Sequence, residues 1–87
     1  MPDEQLSERD GSLLAFESGW TRHSARKEEA IRDAFGLSAA RYYQLLNAVI
    51  DSPAALRHDP LLVRRLQRAR EARAEARASR SFTTSQH

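Results

Sequence analysis

The side chains best suited to reading another molecule lie on one side of a predicted helix in the middle of the chain. Gln44 and Asn47 carry amides that can make two hydrogen bonds to one adenine, and Tyr43 carries a hydroxyl that can reach a base or a phosphate. The other residues on this side are small, whereas a purely structural helix usually exposes glutamate and lysine. The pattern predicts contact with base edges in the major groove of DNA, and the simpler interpretation leaves these polar groups in water. The predicted base-reading residues are Ser38, Ala39, Ala40, Tyr43, Gln44 and Asn47.

A second group of candidates is basic and suited to holding phosphate. Four of its members precede or begin the helix before the base-reading one, where the helix N-terminal amides also point at phosphate. One lies within the base-reading helix at the flank of its base-reading face, and four follow one another at helical spacing near the C terminus. The predicted contacts to the DNA backbone are Arg22, His23, Arg26, Lys27, Arg41, Arg70, Arg73, Arg77 and Arg80.

Both basic groups also admit plainer interpretations. Residues 22–27 can form a solvated turn that offsets the glutamates after it, and the arginines of residues 64–80 can form a solvated helix paired with its own glutamates. A helix lying on a membrane surface is the least favoured alternative, because alanine is the only apolar residue type in the stripe beyond Leu66.

The charge distribution favours contact with DNA. The chain has a net charge of +2, but residues 1–35 carry −3 and residues 61–87 carry +5. A polyanion responds to the local field more than to the total charge, so the basic end is expected to attract phosphate.

Composition argues against several other classes of protein. The 87 residues suffice for one domain and leave no room for an effector pocket, so no small-molecule ligand is expected. Cysteine is absent and His23, His58 and His87 lie far apart in sequence, so neither a metal nor a cofactor is expected. No run approaches the roughly 20 apolar residues that span a bilayer, and the first ten residues are acidic where a secretory signal is basic. These features predict a cytoplasmic protein without membrane association.

The chain is not expected to be an enzyme. It offers no nucleophile beside a base, no paired carboxylates in an apolar setting and no glycine-rich phosphate loop.

The elements around the candidates are predicted to form a helix-turn-helix over Lys27–Ile50, with an ordinary helical hairpin as the alternative. Ser24 caps the first helix, which ends at Phe35, and Ser38 caps the second, which runs from Ala39 to about residue 51. Arg32 stands where close crossing of the two helices prefers a small residue. The apolar positions and the turn glycine of the predicted motif are Ile31, Phe35, Gly36, Leu37, Tyr42 and Leu45.

Further helices are predicted on either side of this motif. The first runs from a Ser7 cap to about Thr21 and contains Gly11 and Gly19, one of which is expected to mark a boundary. A short turn covers residues 54–57, and Asp59 with the proline after it begins the last helix.

The buried faces follow from the apolar spacing. In the last helix the arginines take over the packing side beyond Ala69, so this helix is expected to leave the body there and to end in a disordered tail from Ser79 to His87. The residues predicted to be buried are Ala30, Ile31, Ala34 and Phe35, then Tyr42, Leu45, Leu46, Val49 and Ile50, and finally Leu62, Leu66 and Ala69.

The predicted fold class is all-α, a small bundle of three to four helices containing a helix-turn-helix, with an extended arginine-rich C-terminal helix. Residues 1–6 form a disordered leader, residues 7–69 the helix-turn-helix domain, and residues 70–87 the basic extension with its tail.

The run KEEAIRDAFGLSAARYYQLLNAVIDSPAALRHDPLLVRRL, preceded by LLAFESGW, also carries a resemblance. The Tyr42-Tyr43 pair, the segment AVIDSP and the start DPLLVRRL are its most specific parts. Over roughly residues 6–80 the chain resembles a family of small actinobacterial proteins of unknown function that contain a predicted helix-turn-helix. The resemblance implies an intracellular role with nucleic acid and no established activity.

Taken together, the residues predict a double-stranded DNA-binding protein, either a small transcriptional regulator or a nucleoid-associated protein, with a homodimer as one mode of action. The alternative is an adaptor whose Tyr43, Gln44 and Asn47 face binds a protein of the transcription machinery.

Overall fold

The structure is a computed structural model that describes residues 6–85, with the side chains of residues 6–80. Its helices are α1 (Glu8–Ser18), α2 (Ala25–Phe35), α3 (Ala39–Ile50), α4 (Pro53–His58) and α5 (Pro60–Ser85). The part of the chain so described contains no strand, which confirms the all-α class. Because the predicted turn after Pro53 is the helix α4, the bundle has five helices where three to four were expected. Over the same residues, no helix combines the length and apolarity that crossing a membrane requires.

Side-chain caps fix where the helices begin. The hydroxyls of Ser7, Ser24 and Ser38 each accept a hydrogen bond from the backbone N–H three residues later, at 3.1–3.2 Å. Asp59 Oδ1 does the same for α5, at 3.2 Å from the N–H of Leu62. These contacts satisfy backbone donors that the first turn of a helix leaves free, and they confirm the four predicted caps.

Two of the three glycines end helices. Gly36 has φ +68° and its N–H donates to the Arg32 carbonyl at 2.8 Å, which closes α2 in the left-handed conformation that glycine adopts without strain. Gly19 ends α1, whereas Gly11 lies inside that helix. The expected helix boundary is therefore Gly19, and the expected turn glycine is Gly36.

The core is built around α3, whose Tyr42 is completely buried. The rings of Phe16 and Phe35 lie 5.7 and 5.5 Å from the Tyr42 ring, so an aromatic cluster joins α1, α2 and α3. Around it, the buried apolar residues of the core cluster are Leu13, Leu14, Ile31, Leu46, Val49, Ile50, Ala55, Leu62, Val63 and Leu66.

Two of the predicted core positions are wrong. Ala34 is exposed because α2 buries a narrow side that contains Ile31 and Lys27, and Ala69 is exposed because it borders a cleft. Phe35 and Leu45 are half-buried and pack against the core from its edge.

Residues 71–80 of α5 have no core beneath them. Every residue from 71 to 80 is exposed, as expected for a helix that projects from the body, and the molecule extends 52 × 28 × 19 Å. The helix continues to Ser85, past Ser79, where the tail was expected to begin, and residues 79–85 include neither proline nor glycine. The expected leader falls on residues 1–5, outside the described part, and on Leu6, which packs against the core. Residues 86–87 are also outside it.

Candidate functional site

The predicted base-reading residues separate into two sets on α3. Ala40 and Gln44 are exposed on its outer side, where Arg41 Nη1 donates to the Gln44 side-chain oxygen at 3.2 Å. Ser38 is exposed as well, but its hydroxyl accepts the capping hydrogen bond from the N–H of Arg41. The outer side of α3 therefore exposes the Gln44 amide, which is held by the Arg41 guanidinium. No residue of α3 is acidic.

Ala39, Tyr43 and Asn47 lie on the side of α3 that faces α5, and the exposed Ala40 borders both sides. A groove of about 350 Å³ separates the two helices, and we call it the α3–α5 groove. Its wall on α5 consists of Arg70, Arg73 and Arg77. The wall on the other side is formed by His23, Ala39, Ala40, Tyr43 and Asn47. The structure thus brings together residues from two predicted sets that the sequence treats separately.

An ion pair holds α5 against the end of α3. Arg70 donates to both carboxylate oxygens of Asp51, at 2.8 and 3.1 Å. The hydrogen bond from Arg70 lowers the pKa of the Asp51 carboxyl, and the same bond raises the pKa of the Arg70 guanidinium. Arg70 is therefore engaged within the protein, although it lines the groove.

Tyr43 is the most connected side chain in the groove. Its ring lies 5.5 Å from the guanidinium of Arg73 and 5.2 Å from the ammonium of Lys27, both within cation–π range. A hydrogen bond of 3.0 Å joins its hydroxyl to Nδ1 of His23, whose Nε2 lies 2.8 Å from Glu28 Oε2. Tyr43 therefore positions the groove wall, and its hydroxyl is already engaged.

Lys27 does not lie where a phosphate can reach it. It is 4% exposed, and its Nζ donates to Glu17 Oε1 at 2.9 Å. Glu17 is 2% exposed, and its other oxygen accepts a short hydrogen bond from the Tyr42 hydroxyl. Burial, followed by the bond to Glu17, raises the pKa of Tyr42. The prediction that Lys27 contacts the DNA backbone is thus wrong, because a long-range carboxylate draws its ammonium into the core.

Sequence reasoning also missed Arg65, which joins α5 to the end of α1. Its guanidinium donates to the backbone carbonyls of Trp20 and Glu17, each at 3.0 Å. Neither Arg65 nor Glu17 has a local sequence signal for these contacts, since the partners lie 45 and 48 residues apart. The burial of Lys27, in contrast, did have a local sequence signal, because Lys27 lies one helical turn before the buried Ile31.

A smaller cavity of about 190 Å³ adjoins the α3–α5 groove, and we call it the inner chamber. Trp20, Leu46, Ile50 and Leu66 contribute apolar walls. The polar walls include Glu17, Lys27 and Arg65, whose mutual and backbone hydrogen bonds are described above.

The other predicted backbone contacts lie at the surface. Arg22 is exposed at the rim of the inner chamber, Arg26 is exposed at the start of α2, and Arg80 is exposed on the projecting part of α5. An exposed guanidinium can donate two parallel hydrogen bonds to one phosphate. These residues therefore retain the chemistry that was predicted for them.

The chain belongs to the DUF3263 family, proteins of unknown function, whose sequence pattern matches residues 5–78. The matched residues include both walls of the α3–α5 groove and all walls of the inner chamber. Neither the curated proteins nor the solved structures include a significant match to this chain.

Proposed function

We propose that this member of the family is a double-stranded DNA-binding protein in which α2, the turn at Gly36 and α3 act as a helix-turn-helix. The observation that carries the proposal is the exposed, acid-free outer side of α3 beside the arginines of α5, across a single groove. A helix in the major groove of DNA approaches bases and phosphates together, so both surfaces are needed at once.

Base recognition is assigned to the outer side of α3. Gln44 is exposed and its side-chain oxygen already accepts from Arg41, an orientation that leaves its NH₂ group available to a base acceptor. Ala40 offers a small apolar contact for a thymine methyl group. Asn47 is half-buried and lines the α3–α5 groove, where its amide can make hydrogen bonds to the same base pairs.

Phosphate contacts are assigned to exposed guanidinium groups. Arg73 and Arg77 line the groove next to α3, while Arg22, Arg26 and Arg80 are exposed farther out. Each phosphate that is neutralised releases counterions, which gives affinity without sequence preference. The exposed arginines therefore provide the strength of binding, and the base contacts on α3 provide its selectivity.

The proposed biological role is that of a small transcriptional regulator or a nucleoid-associated protein in the bacterial cytoplasm, acting as a monomer or homodimer. The test is selection of binding sites from random duplexes at physiological salt, using the full chain. An enriched motif supports a regulator, and uniform binding to duplexes supports a nucleoid-associated protein. The proposal is overturned if no duplex binds, which would favour the protein–protein adaptor instead.

A further inference from the structure

The α3–α5 groove and the inner chamber adjoin each other, and we call the two together the cleft. Four residues, His23, Tyr43, Asn47 and Arg73, contribute to the walls of both. The groove alone, at about 350 Å³, falls within the roughly 300–1,000 Å³ typical of small-molecule sites. The cleft is therefore large enough for a small ligand, although a chain of this length was expected to lack such a pocket.

The outer compartment is built for an anion. Its three arginines face no carboxylate among the residues that line it. Arg70 is paired with Asp51 outside the groove, and the Arg73 guanidinium lies over the Tyr43 ring, 5.5 Å from its centroid. Arg77 completes the wall one helical turn beyond Arg73, so two guanidinium groups can approach one anionic head group.

The inner compartment is built for a ring. Its volume of about 190 Å³ is comparable with the roughly 150 Å³ apolar cavity that accommodates benzene in another protein. Trp20, which is half-buried, provides most of the aromatic contact surface, and Leu46 and Leu66 are buried in the wall behind it. The charges of Glu17 and Lys27 compensate each other in their ion pair, so the chamber does not require a charged occupant.

We propose that this cleft binds a small aromatic anion, with the ring in the inner chamber and a phosphate or carboxylate on Arg73 and Arg77. The ligand lies against Asn47 and the inner side of α3, next to the surface assigned to DNA. Bound there, it occupies the space that a DNA phosphate would need beside the α5 arginines. We expect the bound ligand to lower the affinity of the protein for duplexes. This regulatory part of the inference rests on the proposed DNA-binding function, whereas the ligand site itself does not.

Phenyl phosphate is a suitable probe, and the protein carries its own reporter. Trp20 is the single tryptophan in the chain and lines the inner chamber, so its fluorescence responds to occupation of the chamber. The full chain is titrated with phenyl phosphate, with inorganic phosphate and with benzyl alcohol, following tryptophan fluorescence and heat of binding. We expect phenyl phosphate to bind at least tenfold more tightly than either fragment.

Matched variants separate a site from general cationic attraction. Arg73→Gln and Arg77→Gln are expected to weaken phenyl phosphate binding at least tenfold. Arg68→Gln removes the same charge from α5 at an exposed position outside both cavities and is expected to leave binding unchanged. Ala69→Phe places a side chain in the chamber without changing charge and is expected to abolish the fluorescence response. Thermal unfolding checks that each variant is folded.

The results distinguish the ligand site from the proposed function. No binding of phenyl phosphate at millimolar concentration, equal affinity for inorganic phosphate, or an equal effect of Arg68→Gln would overturn the site. Competition for a duplex is then measured: a saturating ligand should weaken duplex binding at least fivefold. If the ligand binds and duplex affinity stays the same, the regulatory link is wrong and the site stands. If no duplex binds at all, the proposed function fails while the titrations still decide the site.

Discussion

Lys27 Nζ donates to Oε1 of Glu17 at 2.9 Å, and this pair is almost completely buried between α1 and α2. Because the second oxygen of Glu17 accepts from Tyr42, both carboxylate oxygens have partners inside the core. Removing a charge from such a pair leaves the other charge buried without compensation, which typically costs about 3–5 kcal/mol.

The first prediction concerns this pair. Lys27→Met is expected to lower the free energy of unfolding by about 3–5 kcal/mol, measured by urea denaturation. The double variant Glu17→Gln with Lys27→Met should recover much of that loss because no uncompensated charge remains. Arg26→Met, one residue earlier and exposed, is the control and should stay within about 0.5 kcal/mol of the parent. A double variant no more stable than Lys27→Met would contradict the explanation.

Two glycine substitutions are predicted to have opposite effects. Gly36→Ala places a Cβ in open space but forces alanine to φ +68°, so it should destabilise the protein by about 1–2 kcal/mol. Gly11→Ala, inside α1, meets Leu6 at an ordinary 3.8 Å and should stabilise it by up to about 1 kcal/mol. Thermal and urea unfolding of both variants tests this, and a shared sign would refute it.

The ion pair between Asp51 and Arg70 predicts a dependence on pH. The folded protein lowers the pKa of Asp51, so the pair stabilises the fold at neutral pH and ceases to do so as the pH falls through the folded-state pKa. Asp51→Asn should therefore reduce stability at about pH 7, by less than about 1 kcal/mol because the pair is largely exposed. At about pH 2 the parent and the variant should unfold alike. Asp33→Asn, also exposed, serves as the control.

Amide removal on α3 is predicted to affect sequence preference. On the duplex sequence enriched by selection, Gln44→Ala and Asn47→Ala should each cost about 1–3 kcal/mol of binding free energy, with a smaller loss on a scrambled duplex. Binding is measured by fluorescence anisotropy at constant salt. An unchanged ratio between the two duplexes would rule out base reading by that residue.

Arginine removal on α5 is predicted to affect salt dependence instead. Arg77→Gln and Arg80→Gln should each weaken binding to all duplexes and reduce the slope of log affinity against log salt by about 0.9 in magnitude. Arg68→Gln, which is exposed on α5 but outside the predicted set of backbone contacts, is expected to retain the slope of the parent. Equal slopes for all four proteins would show that Arg77 and Arg80 do not contact phosphate.

Local chemistry explains which parts of the fold could be predicted. A serine cap needs only the backbone three residues ahead, and Gly36 needs only its own dihedral freedom, so both were evident from the chain. The helix after Asp59-Pro60 was predictable for the same reason. Features of this kind depend only on residues that lie within one helical turn of each other.

Long-range partners explain what could not be predicted. The spacing from Ile31 places Lys27 on the buried side of α2, but its ion-pair partner Glu17 lies in another helix and has no local sequence signal. Ala34 and Ala69 were misplaced because alanine carries too little apolar area to show which side of a helix is covered. The cleft between α3 and α5 depends on how these two helices are placed relative to each other in space, and no local sequence pattern predicts that placement.

The unsupported part of α5 has a consequence of its own. A helix of 26 residues is about 39 Å long, and its residues 71–80, all exposed, are held by alanine propensity and local charge more than by packing. Arg73 and Arg77 lie four residues apart with like charges, an arrangement that weakens a helix. Any polyanion that neutralises them removes this repulsion, so ligand binding and the persistence of the rod are thermodynamically coupled. Backbone amides beyond Arg70 should therefore exchange with solvent quickly in the free protein and more slowly once an anion is bound.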